Sequence, residues 1–78
     1  MQRWKSIYQE ANIFNDFKKI LSPVGFRDND IRDVVSLFQT DFQDLDYKGI
    51  MNELVNEWDM DGRIAKNLYN IAKKNWVI

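Results

Sequence analysis

Apolar residues in this chain recur at intervals of three and four, and no stretch alternates apolar with polar over a strand's length. That spacing commits the chain to amphipathic helices. Trp4, Ile7, Tyr8, Ala11, Phe14, Phe17 and Leu21 form the first stripe, over about residues 3–21. Ser22-Pro23 stops it, because proline disfavours helical geometry at the residue before it, and Gly25 permits the turn. Asp28 is placed to cap a second helix over about 29–40, with Asp30 and Asp33 near the positive end of its dipole and Ile31, Val34, Val35 and Phe38 on the buried face. Asp44 or Asp46 caps a third, about 46–58, with the stripe Tyr47, Ile50, Met51, Leu54 and Trp58. Asp61 caps a fourth, about 62–75, burying Ile64, Ala65, Leu68, Ile71 and Ala72. Asn75 is expected in the left-handed conformation that ends this helix, after which "WVI" extends as a short strand or packs back on the core. The expected fold is all-α, one compact domain of three to four short helices over residues 1–78.

The inventory removes several chemistries. With no cysteine and no histidine, disulfide scaffolds, Cys/His zinc sites and Ser–His or Cys–His catalytic pairs are excluded. Asp41, Asp44, Asp46, Asp59 and Asp61 read as helix caps as well as they read as paired general acids. There is no Gly-rich phosphate loop, and a helical domain this small has little volume for a substrate cleft. The chain is therefore expected not to be an enzyme, and to need no cofactor or small-molecule substrate. No apolar run approaches the ~18 residues of a membrane span, and "MQRWKSIYQEA" lacks the uninterrupted apolar core of a signal peptide. A soluble, cytoplasmic protein without a membrane partner is expected.

Charge is divided along the chain. Residues 1–61 hold all 12 acids against seven Lys/Arg, a net −5, whereas the last 17 residues hold Arg63, Lys66, Lys73 and Lys74 with no acid, a net +4. "GIMNELVNEWDMDGRIAKNLYNIAKKNWVI" reads as helix, tight turn, helix, and resembles the second half of a winged helix-turn-helix domain. The resemblance implies that Arg63, Lys66, Asn67, Asn70, Lys73 and Lys74 face a nucleic acid, with Arg and Asn suited to base edges and Lys to phosphate. The same cations also suit an acidic protein. "IYQEAN", "LSP" and the final "NW" are similar to pieces of the helical domain of bacterial DnaD-type replication proteins.

"EWDMDGRI" also resembles a calcium loop of the EF-hand kind. With Gly62 at the sixth position, Glu57, Asp59 and Asp61 take ligand positions and Ile64 the apolar eighth, while Leu68 replaces the closing glutamate. Asp59 and Asp61 are the candidate metal ligands on that reading. "VVSLFQTDFQDLDYKGI" resembles a second such segment, with Gly49 in the closing position and Gln39 and Gln43 in place of carboxylates.

Eleven of the 78 residues are aromatic, more than four stripes need. Phe26 in the first turn, Phe42 in the second loop, Tyr69 on the fourth helix and Trp76 near the end fall off the stripes, and exposed aromatics are common anchors of protein interfaces. Phe42, among the polar residues of "TDFQD", is expected to be the most exposed. The leading expectation is a small regulatory, inhibitor or adaptor protein that binds a partner protein through these aromatics and the basic fourth helix. A helix-turn-helix-like nucleic-acid binder and a degenerate EF-hand-like lobe are the alternatives.

Overall fold

A computed structural model of the chain describes residues 13–78. Helix α1 covers residues 13–21 of that range, α2 is Asp28–Gln39, α3 is Tyr47–Asn52 and continues through a π turn, Glu53–Glu57, and α4 is Gly62–Lys74. Short 3-10 turns, Ser22–Val24 and Asp41–Asp44, link the first three helices. Among the described residues there is no strand; "WVI" is not one, and Val77 and Ile78 instead pack against the core. The part of the first stripe from Trp4 to Ala11 lies outside the described residues. No helix among those described is long and apolar enough to cross a membrane.

Each stripe supplies a line of fully buried side chains. Ile13, Phe17 and Leu21 come from α1, Ile31, Val34, Val35 and Phe38 from α2, Ile50 and Leu54 from α3 and its π turn, and Ala65, Leu68 and Ala72 from α4. Helix α4 packs against α3 and the π turn, and the small residues Ala65 and Ala72 lie on its buried face. Phe17 meets Phe38 edge to face at 5.3 Å, and Phe38 meets Phe42 likewise at 4.9 Å, a ring geometry that places a positive edge on a negative face.

Caps set the helix boundaries. Asp46 Oδ1 accepts from the Gly49 N–H at 2.8 Å, and Asp61 Oδ1 accepts from the Arg63 N–H at 2.8 Å, each satisfying an otherwise unpaired amide. Asp28 is not the cap of α2. It is the first helical residue, Arg27 precedes it with extended backbone, and Asp30 Oδ2 reaches back to accept from the Arg27 N–H at 3.3 Å. Asp28 instead lies 3.4 Å from the Lys18 ammonium, an exposed pair worth little to stability.

Among the described residues, three segments end on a left-handed residue. After α1, the Gly25 N–H donates to Ser22 O and the Phe26 N–H to Leu21 O, both at 3.1 Å, around Gly25 at φ 102°. After the π turn, the Met60 N–H donates to Leu54 O at 3.1 Å around Asp59 at φ 54°. After α4, the Trp76 N–H donates to Lys73 O at 3.2 Å and the Val77 N–H to Ala72 O at 2.9 Å. The left-handed residue there is Trp76, at φ 62°; Asn75, expected in that role, has φ −97°. Its side chain is used differently, Nδ2 donating to Ile71 O at 2.8 Å. The bond patterns around Gly25 and Trp76 are the same: nested six-to-one and five-to-two bonds that close a helix.

Candidate functional site: the outer face of the fourth helix

Helix α4 starts at Gly62 because Asp61 caps it, and Lys73 and Lys74 in its last turn sit at the negative end of its dipole. With Ala65, Leu68 and Ala72 turned into the core, a 100° step per residue places Arg63, Lys66, Asn67, Asn70, Lys73 and Lys74 on the opposite side. All six are exposed. The face therefore contains four cations and two carboxamides, with no acid and no apolar side chain. Among the described residues, none of these four cations is in a salt bridge.

Tyr69 borders this face, about one helical turn from both Lys66 and Lys73. Its half-buried ring meets Tyr47 edge to face at 4.8 Å. Tyr47 is 43% exposed, although its place in the stripe of α3 suggests burial. It stands directly after the cap Asp46, in the first turn of α3, where it covers Tyr69 and not the core. Beyond Lys73 and Lys74, Trp76 is 84% exposed. Val77 and Ile78 turn inward, and Gln43 Nε2 donates to Val77 O at 2.7 Å and to Phe38 O at 2.6 Å, fixing the closing turn to the end of α2.

The other proposed anchors are differently placed. Phe42 is a correction: it is 2% exposed and belongs to the core beneath its polar neighbours, because the 3-10 turn Asp41–Asp44 points it at Phe38. Phe26 is half-buried and stacks on Trp58, with centroids at 6.4 Å and planes 23° apart. Of the four aromatics, only Tyr69 and Trp76 lie along α4. The EF-hand-like loop does not take shape around Gly62. Asp61 is committed to capping, Asp59 is left-handed and exposed, and Leu68 at the closing position is buried inside α4's core face. Among the described residues no three acidic side chains gather as a group that could hold a metal.

No protein family, curated protein or solved structure matches this chain.

Proposed function

We propose that the chain is a small non-enzymatic protein that binds nucleic acid through the outer face of α4. One observation carries the reading: six exposed positions in succession on that face hold only cations and carboxamides, and the cations have no ion-pair partner among the described residues. Protein–protein interface cores are depleted in lysine, whereas nucleic-acid interfaces are polar and positive, with Lys on phosphate and Asn or Arg on base edges. The leading expectation from sequence, a partner protein held by Phe26, Phe42, Trp76 and the basic fourth helix, loses two of its anchors, because Phe42 is in the core and Phe26 is stacked on Trp58.

Fluorescence anisotropy with labelled oligonucleotides at low salt tests the reading. Binding that weakens with salt and is lost in Lys66→Glu supports it, and the absence of binding at low salt sinks it. A second reading, a regulator, inhibitor or adaptor for an acidic protein, is favoured by the exposure of Trp76, since buried Trp anchors dominate many protein interfaces. A protein that stays captured after nuclease treatment and is released by Trp76→Ala favours that second reading.

A further inference from the structure

We infer that the nucleic acid is a single strand, laid along the C-terminal half of α4 from Lys66 to Trp76 with bases stacked on Trp76 and Tyr47. The inference rests on the nucleic-acid reading and specifies its substrate. Three features point the same way. The first is the N-terminal end of α4, the end that a recognition helix presents to base edges in the major groove. Here it is flanked by the exposed carboxylates of Asp59 and Asp61, and the Arg63 amide that would meet a phosphate is already taken by Asp61. A duplex docked by that end meets two negative charges.

The second feature is the interleaving of charge and rings in the other half. Lys66 and Lys73 flank Tyr69, Tyr69 carries Tyr47, and Trp76 follows Lys73 by three residues. A base inside a duplex has both faces covered by its neighbours, so among nucleic acids the exposed rings of Tyr47 and Trp76 beside these cations suit a strand whose bases are free to stack. The third is rigidity. Trp76 donates one backbone bond into α4, and its neighbour Val77 donates another and is tied down by Gln43, so the anchor of the ring is fixed before any ligand arrives. From Lys66 to Lys74 the helix rises ~12 Å, the length of roughly three to four stacked nucleotides.

The experiment measures anisotropy of a labelled short oligothymidylate, of the corresponding dA·dT duplex, and of the oligothymidylate in competition with poly-L-glutamate. The single strand is expected to bind about tenfold or more tighter than the duplex, with a log–log salt slope of about −2 from Lys66, Lys73 and Lys74. Trp76→Ala and Tyr47→Ala are each expected to weaken binding about fivefold or more, with Trp76→Phe and Tyr47→Phe retaining most of it. Circular dichroism of each variant separates loss of stacking from loss of fold. Equal or tighter binding of the duplex overturns the single-strand inference and leaves the nucleic-acid reading standing. No binding of either at low salt overturns both. Displacement by poly-L-glutamate as effective as by unlabelled oligothymidylate also overturns the inference, because the face then reads charge alone and fits an acidic protein. Retention of full affinity in folded Trp76→Ala and Tyr47→Ala overturns it as well.

Discussion

Replacing Trp76 by glycine should stabilise the fold while removing the most exposed aromatic ring among the described residues. Trp76 sits at φ 62° in a closing turn whose twin, after α1, is filled by Gly25 at φ 102°. Left-handed backbone costs a residue with a β-carbon ~1–2 kcal/mol. Glycine escapes that cost but loses more freedom on folding, ~0.5–1 kcal/mol against alanine. Trp76→Ala is therefore the proper reference, since both variants lose the ring and only one keeps the strained backbone. The glycine variant should be more stable than the alanine variant by about 0.5–1 kcal/mol, or roughly 2–8 °C in melting temperature for a domain of this size. The ring itself contributes little, because at 84% exposure only a small part of it is covered. Thermal melts and urea titrations followed by circular dichroism measure the difference. A glycine variant that melts at or below the alanine variant refutes the argument, because the closing turn would then not be strained at this residue.

The mirror experiment is Gly25→Ala. A β-carbon there meets no atom within 4 Å, so the expected loss of about 1 kcal/mol is conformational and not a clash, and denaturant titration reads it. Phe42→Ala should cost about 3–5 kcal/mol, a large fraction of the stability of so small a domain, and a near-neutral urea midpoint would show that the ring does not pack on Phe38. Asp61→Ala removes the cap of α4 and should cost about 0.5–2 kcal/mol, with amide exchange rising first at Arg63.

The four helices were legible because their signals are local and redundant. The second stripe, Ile31, Val34, Val35 and Phe38, is also the buried set of α2, and Asp46 and Asp61 cap the helices they precede. The misplaced residues are those whose environment depends on the path of a turn. Phe42 has polar neighbours in sequence, and only the 3-10 turn that aims it at Phe38 puts it in the core. Met60, buried beyond the end of the third stripe, is carried inward by the left-handed turn at Asp59. Asp28 looks like a cap by residue type, but the backbone enters the helix one residue earlier and Asp30 supplies the carboxylate. For the candidate site, the exposed polar face of α4 follows from helical phase alone. Tyr47 as its neighbour does not, since pairing with Tyr69 requires knowing how α3 crosses α4. Nothing local distinguishes Trp76 as left-handed, because residue preference points to Asn75.

The π turn at Glu53–Glu57 bears on the permissible length of the chain. A π turn closes with bonds between residues five apart and so holds one residue more than the α-helical turn it replaces. Half-exposed Val55 lies within it, while Leu54 before it and Met60 after it are both in the core. Deleting Val55 would let the segment close as an ordinary helical turn with Leu54 still buried, whereas the same deletion in α4 would rotate Ala65, Leu68 or Ala72 out of the core. Homologues one residue shorter should therefore carry their gap between residues 53 and 57, and chains with a gap inside 62–74 should not share this fold.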